Sequence, residues 1–273
     1  MVWIGIFIII PMLLILFYAI TAEGNEVLAF RFTLNNFVRF FDPIFIRVLI
    51  RSLQIALVTT IISILIGYPI AYFIANANEK WQTLLILLVT MPMWINMLVR
   101  TYAWIGILAD YGLINTFLGW FNIGPLNMMY TDFAVTLGMV YNFLPFMILS
   151  IYTVLAKMDR ALIHASFDLG ANRLQTFLRV VFPLSIPGVV AGITLVFLPA
   201  VSTFVIPKLL GGGNFVLIGN LIETQFITVG EWHFGSAISL IMAIIIMVSM
   251  VITKKFDKNV EEERQLQSGG STW

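Results

Sequence analysis

The side chains able to do chemistry are few, and they sit beside long apolar runs. Arg100 lies in MWINMLVRTYAW, with Trp94, Tyr102 and Trp104 around it. Aromatic faces attract organic cations through the ring quadrupole, so this cluster can line a path for one. The same residues also make an ordinary aromatic belt around an arginine that reaches for the headgroups. Asp110, Glu223 and Glu231 are acids next to apolar runs. An acid turned inward would be a counter-charge for a cationic solute; one turned outward is simply solvated. Glu223 is the strongest of the three, because it follows a glycine-rich break in LLGGGNFVLIGNLIETQF. Tyr141, Asn142 and Pro145 mark a weak point in one apolar run, and Gly192, Pro199 and Pro207 mark another. Proline leaves a carbonyl without its helical donor, and such breaks are tolerated at membrane depth where they line a cavity or are packed in protein.

No enzyme motif accompanies these groups. G-x-x-x-x-G-K-[ST], H-E-x-x-H and G-x-S-x-G are absent, and no lysine follows Gly211–Gly213 at phosphate-loop spacing. The chain therefore has no nucleotide site of its own, and no cofactor is expected in it. Cysteine is absent, and the two histidines, His164 and His233, are far apart. That excludes disulfides, thiolate catalysis and cysteine-based metal sites.

A second group of polar residues has a different pattern. Asp159–Gly188 reads DRALIHASFDLGANRLQTFLRVVFPLSIPG and lies between two uncharged apolar runs. Asp159 can cap a helix, because its carboxylate accepts from the free N–H groups of the first turn. Ala161, Ala165 and Leu169 recur at helical spacing, and Gly170 stops that helix as a left-handed residue. Asn172 can cap a second helix, in which Leu174, Phe177, Leu178 and Val181 form an apolar stripe opposite Arg173, Gln175 and Arg179. Pro183 and Pro187 then begin the next apolar run. The spacing predicts a hairpin that leaves the membrane and returns to it. A helix–turn–helix for DNA is excluded by the flanking apolar runs and the lack of a basic surface.

The elements that must position these groups are membrane spans. Of 273 residues, 60% are hydrophobic and 11% charged, with mean hydropathy +0.98. No soluble domain of this size hides that much apolar surface. The net charge of +1 gives no reason to expect a nucleic-acid partner. Six runs suit the roughly 20 residues that a helix needs to cross a bilayer: Met1–Ala22, Ser52–Asn78, Trp81–Val99, Phe133–Ala156, Val180–Pro207 and Phe234–Thr253. The first has no basic start and too long a core for a leader, so it reads as a retained helix. Gly67 and Pro69 suggest a kink in the second. Thr33 can cap a short surface helix through Leu34, Phe37, Phe40 and Phe41. Tyr111–Thr131 reads as a loop with short interfacial helices, and Leu209–Ile222 is too short to cross. The expected fold is all-α, with a transmembrane domain over 1–253 containing the hairpin 159–182. A charged tail over 254–273 is expected to be disordered past about Gln265.

Six crossings put both termini on one side with Lys80, Lys157, Arg160, Arg173, Arg179, Lys254, Lys255, Lys258 and Arg264. Arg31, Arg39, Arg47, Arg51, Arg100 and Lys208 fall on the other. The excess places the termini and the hairpin in the cytoplasm.

The hairpin resembles the EAA loop of ABC importer permeases, which runs Glu-Ala-Ala, three residues, Gly, nine residues, Ile-x-Leu-Pro. The matching positions are His164, Ala165, Ser166, Gly170, Val180, Phe182 and Pro183, with histidine and serine in place of glutamate and the second alanine. The resemblance implies that Asp159, His164, Ala165, Ser166, Asp168, Gly170, Arg173 and Pro183 contact an ATPase. Nearly the whole chain is similar to the B-type permease subunits of spermidine/putrescine importers. FTLNNFVRFFDP, IGYPIAYFIA, MPMWINMLVRTYAW, YNFLPFMILSIY, DLGANRLQTFLRVVFPLSIPGVVAG and LLGGGNFVLIGNLIETQF carry that similarity. It implies a six-helix type I importer permease in the plasma membrane of a bacterium. Its partners would be a homologous second permease subunit, an ATPase homodimer that holds ATP and Mg, and an external polyamine-binding protein. Trp94, Tyr102, Trp104, Asp110, Tyr141 and Glu223 suit a path for a flexible polycation, which needs aromatic faces and sparse acids. They would suit other organic cations too, and an importer for iron, an amino acid derivative or an oxyanion is the main rival. A secondary carrier would be expected to show repeats or charges inside the spans, and neither is evident. An intramembrane enzyme would need paired catalytic residues at membrane depth.

Overall fold

The structure, a computed structural model, describes residues 3, 5–23, 30–213 and 215–269. Helix α1 (Ile10–Ala19) follows a π-helical turn over Gly5–Ile9, and β1 (Thr21–Glu23) pairs antiparallel with β2 (Phe30–Phe32). Then come α2 (Asn35–Phe40), α3 (Pro43–Ala75), α4 (Glu79–Thr90), α5 (Met97–Leu108), α6 (Leu113–Trp120) and α7 (Asp132–Ala156). The hairpin is α8 (Arg160–Asp168) and α9 (Arg173–Thr176). It is followed by α10 (Phe182–Ser202), α11 (Val205–Leu210), α12 (Ile218–Glu223) and α13 (Trp232–Gly269).

Among the described residues, Pro43–Ala75, Met97–Trp120, Asp132–Ala156, Arg173–Ser202 and Trp232–Val251 are long and apolar enough to cross a membrane. The second of these bends at Ala109–Gly112, between α5 and α6. Gly5–Ala19 is a shorter apolar helix in the first predicted run.

Helices α3, α7 and α10 make the packed centre, and α13 holds α1 on the outside. Lipid tails are as apolar as leucine, so helices in a bilayer associate through close packing of small residues. Gly188 and Gly192 do this on α10: an added Cβ would lie 2.9 Å from the Ser150 carbonyl at Gly188, and 2.5 Å from the Met147 sulfur at Gly192. Two threonines and a serine on α3, Thr59, Thr60 and Ser63, are buried against the same core. Tyr68 of α3 and Ser185 of α10 share a hydrogen bond of 2.7 Å between hydroxyls.

Four elements differ from expectation. The second span begins at Pro43, not Ser52, because Asp42 caps it through the Ile44 N–H at 2.9 Å and Pro43 suits a first turn; it runs unbroken through Gly67 and Pro69. The third is two helices. It breaks at the 3₁₀ turn Met91–Trp94, where Pro92 has no N–H, and restarts where Asn96 accepts from the Leu98 N–H at 2.8 Å. Each half, at about 18 Å, is too short to cross alone; α5 reaches crossing length together with α6. The second arm of the hairpin does not stop at Pro183: it runs through a π-helical turn, Phe177–Val181, into α10. The π turn absorbs the place where Pro183 cannot donate to the preceding turn. Finally, α13 crosses the boundary at 253 and passes Gln265 to Gly269, consistent with the helix preference of Glu, Arg, Gln and Leu in EEERQLQ. Residues 270–273 lie outside the described residues.

Thr33 accepts from the Asn35 N–H at 3.1 Å, so it supports α2 as anticipated. Leu209–Ile222, too short to cross, packs into the core: Leu210, Leu217, Ile218 and Leu221 are buried, and the Ile218 N–H donates to Ser52 Oγ at 2.8 Å.

Candidate functional site

The hairpin is held together by its own caps. Asp159 Oδ1 accepts from the Ala161 N–H at 2.9 Å. Asn172 and Gln175 cap each other: Oδ1 of Asn172 accepts from the Gln175 N–H at 2.9 Å, and Oε1 of Gln175 accepts from the Asn172 N–H at 3.0 Å. Between the arms, the Ala171 N–H reaches the Ser166 carbonyl at 3.0 Å and the Gly170 N–H reaches the Phe167 carbonyl at 2.9 Å. This is a Schellman closure, and Gly170 adopts φ +81° to make it. Ser166 is buried, and its hydroxyl meets that of Thr176 at 2.8 Å.

His164, Ala165, Asp168 and Arg173 are all exposed on this hairpin, and Pro183 sits in the first turn of α10. The predicted apolar stripe divides. Val181 is buried and Phe177 half-buried, but Leu174 and Leu178 face outward, as do Leu162 and Leu169, the last 89% exposed. Exposed leucines therefore stand on the same hairpin as exposed histidine, arginine and aspartate.

Phe177 is the joint between hairpin and spans. Its ring lies edge-on to Tyr68 and Tyr72, with centroids 5.8 and 5.4 Å away. Tyr68 also reaches Phe182, at 5.7 Å, and Ser185. The sequence reading missed this cluster; the signal was a pair of tyrosines four residues apart in an otherwise aliphatic run. Beside the hairpin, a cavity of about 680 Å³ is lined by Asn76, Glu79, Lys80, Gln82, Arg160 and Ile163, among others.

The path candidates come together only in part. Trp104 of α5 lies edge-on to Tyr141 of α7, with centroids 5.4 Å apart. Trp94 is on the 3₁₀ turn and Tyr102 on α5, and both are largely exposed, as is Asp110. Glu223 is turned inward, with its side chain 13% exposed, but Lys208 Nζ sits 2.7 Å from Oε1. The carboxylate thus already has a cation, which the sequence reading did not anticipate. Glu231 pairs with Arg39 at 2.7 Å, and Arg51 with Asp132 at 2.7 Å. Arg39 also stacks over Phe234 and Arg51 over Phe215.

Arg100 falls in the first turn of α5, one turn before Trp104. It is half-buried, and its Nε and Nη1 are enclosed without a hydrogen-bond partner among the described residues. Among the described residues, no group that could ligate a metal forms a cluster of three.

Residues 63–262 match the family profile described as binding-protein-dependent transport system inner membrane component. The chain is 37% identical over 268 residues to the spermidine/putrescine transport system permease protein PotB of Escherichia coli K12, covering 96% of this chain and 98% of that one. It is 40% identical over 268 residues to the PotB of Haemophilus influenzae, covering 96% and 94%. An inner membrane ABC transporter permease of E. coli, YdcU, is 31% identical over 237 residues, covering 82% and 75%. Among solved structures, a bacterial alginate ABC transporter bound to its periplasmic protein superposes with a TM-score of 0.75 at 16% identity, over 95% of this chain and 91% of that one. The MetNI methionine ABC transporter does so at 0.61 and 17% identity, over 79% and 95%. The likeness to the structures carries the fold, and the profile with the full-length relatives carries the family: this chain belongs to the binding-protein-dependent transport system inner membrane components.

Proposed function

We propose that this chain is a permease subunit of an ATP-driven importer that moves polyamines, spermidine or putrescine, into the cytoplasm. The observation that carries this reading is the similarity to spermidine/putrescine permeases across nearly the whole chain. The edge-on Trp104–Tyr141 pair supports it, because aromatic faces suit a cationic chain with methylene spacers. The chain is a transport subunit without catalysis of its own. ATP and Mg belong to a partner ATPase homodimer, a homologous second permease subunit completes the path, and an external polyamine-binding protein delivers the cargo. The lysine and arginine excess supports a cytoplasmic side for both termini and the hairpin in a bacterial cell.

In this reading the hairpin presents His164, Ala165, Asp168, Arg173 and its exposed leucines to the ATPase. Gly170 and the caps keep it rigid, and Phe177 passes its movement to Tyr68 and Tyr72 on α3 while the π turn leads into α10. Movement of α3 and α10 against α7 then alternates access to the path. Trp104, Tyr141, Trp94, Tyr102, Asp110 and Glu223 are its proposed contacts with cargo.

The test is reconstitution of the chain with its neighbouring transport subunits in liposomes, reading ATP-dependent uptake of labelled spermidine against putrescine. Saturable uptake that needs both ATP and the external binding protein is the expected result. ATP hydrolysis without uptake of either would keep the importer and discard the polyamine.

A further inference from the structure

Two voids meet at the turn between α3 and α4. The first is the cavity of about 680 Å³ beside the hairpin, whose charged lining is Glu79 and Lys80 of α4 and Arg160 of α8. The second, of about 740 Å³, lies between the end of α3 and the start of α4, walled by Tyr72, Phe73, Trp81 and Leu85. Tyr72, Asn76, Ala77, Asn78 and Trp81 border both, so a polar chamber opens into an apolar groove.

The sequence around this turn changes polarity as a membrane boundary does. Pro43–Ala75, long and apolar enough to cross, gives way to the polar turn 76–78 and the charges of Glu79 and Lys80. Beyond them α4 is apolar again, with Leu84, Leu87 and Leu88 exposed. Asp132–Ala156 ends at the same place: Leu155 and Ala156 line the first cavity, and Lys157 and Asp159 follow. Tryptophan and tyrosine at such a joint suit the headgroup layer.

Lys80 and Arg160 are exposed and make no ion pair among the described residues. Glu79 is the only acid on the cavity wall, and Asp159, beside Arg160, caps α8. With Lys157 in the loop, three cations stand among two carboxylates. A ligand filling both voids therefore carries an anionic head and an apolar tail. A soluble domain is a poor fit, because Phe73 and Leu85 lie on apolar helices, and His164, Ala165 and Asp168 of the hairpin border neither void.

We infer that this joint seats an anionic phospholipid of the leaflet on the hairpin side, with its phosphate at Lys80 and Arg160 and an acyl chain along Phe73, Trp81 and Leu85. Arginine matches phosphate oxygens two at a time, and lysine adds a point charge. Basic residues at the end of a span attract anionic headgroups. The seat is also mechanical. Arg160 opens the hairpin, Lys80 belongs to α4, and Tyr72 on the groove wall lies edge-on to Phe177 at 5.4 Å. A bound headgroup ties the hairpin to the membrane helices beside that aromatic joint, whatever the cargo is.

The experiment adds phosphatidylglycerol or phosphatidylcholine to the full chain in detergent, with and without its ATPase, and reads retained lipid by native mass spectrometry. Phosphatidylglycerol is expected to be retained in preference. Lys80→Gln combined with Arg160→Gln is expected to lower its retention about tenfold. The charge-conserving pair Lys80→Arg with Arg160→Lys is expected to keep it, which separates lost charge from a misfolded chain. Ala77→Trp, which fills the passage between the voids, is expected to lower retention with both cations in place, and Arg31→Gln on the exposed strand β2 to leave it unchanged. Equal retention of the two lipids, or undiminished retention by the double glutamine variant, overturns the inference. Displacement of the lipid by excess inorganic phosphate would make this a site for a soluble anion, and displacement by the ATPase would give the surface to that partner; either overturns it too.

Discussion

Ser166 and Thr176 meet hydroxyl to hydroxyl at 2.8 Å, one on each arm of the hairpin. Ser166 Oγ also donates to the Ile163 carbonyl at 2.8 Å, which uses its only proton. Thr176 is therefore the donor between the arms. Both residues are buried, so the two single replacements differ in consequence. Ser166→Ala strands the Thr176 hydroxyl and is expected to destabilise the hairpin by about 1–3 kcal/mol; Thr176→Val leaves Ser166 bonded to Ile163 and should lose about 0.5–1.5 kcal/mol. The double replacement is expected to recover most of the first loss. Thermal unfolding of the purified complex measures all three, and equal effects for the two single variants would refute the assignment of the donor.

Gly170 has φ +81° and nothing within 4 Å of an added Cβ, so the demand there is conformational and not steric. Gly170→Val should weaken ATP-driven uptake markedly, because a β-branched residue is strongly disfavoured in the left-handed region. Gly170→Asn should retain most of it, since asparagine visits that region at modest energy. Uptake in liposomes at fixed ATP separates the two; undiminished uptake by Gly170→Val would show that the Schellman closure is not needed for coupling.

The ring of Phe177 against Tyr68 and Tyr72 is the tie between the hairpin and α3. Phe177→Ala removes it without touching the exposed residues of the hairpin. The expected result is a complex that still hydrolyses ATP but takes up less cargo per ATP, with stability lowered by about 1–3 kcal/mol because the ring is only half-buried. Phe177→Tyr should keep the ratio close to wild type. Measuring hydrolysis and uptake on the same vesicles decides it, and a parallel loss of both would place Phe177 in the docking face instead.

The hairpin was legible because its signals are local. Asp159, Gly170 and Asn172 act on backbone within a few residues, so their roles follow from spacing alone. The long apolar runs were legible for the same reason. What escaped the sequence depends on partners far along the chain or on competition between signals. Pro92 and Asn96 sit in an apolar run whose hydropathy reads as one helix, and only their missing and added hydrogen bonds divide it. Pro183 looked like a helix start, yet a π turn carries the helix past it. Glu223 looked like a free acid; Lys208, fifteen residues earlier and across a glycine-rich turn, returns to meet it.

Trp104 and Tyr141 face each other from α5 and α7, while Glu223 is held by Lys208 at 2.7 Å. These two arrangements make different predictions for cargo. The aromatic pair is neutral, so Trp104→Phe should preserve the ring face and change the half-saturation for spermidine little, whereas Trp104→Ala should raise it several-fold, in keeping with about 0.5–2 kcal/mol for a cation on a ring. Glu223 can serve a cation only by exchanging Lys208 for it. Lys208→Met should then strengthen spermidine binding within the path, and Glu223→Gln should weaken it, each by a few-fold and more so at low salt, because Lys208 is well exposed and its pairing is screened. Uptake titrated with spermidine at two ionic strengths reads both effects. If Lys208→Met and Glu223→Gln shift the half-saturation in the same direction, the pair is a structural clasp between α11 and α12, and the cargo is handled by the aromatic faces alone.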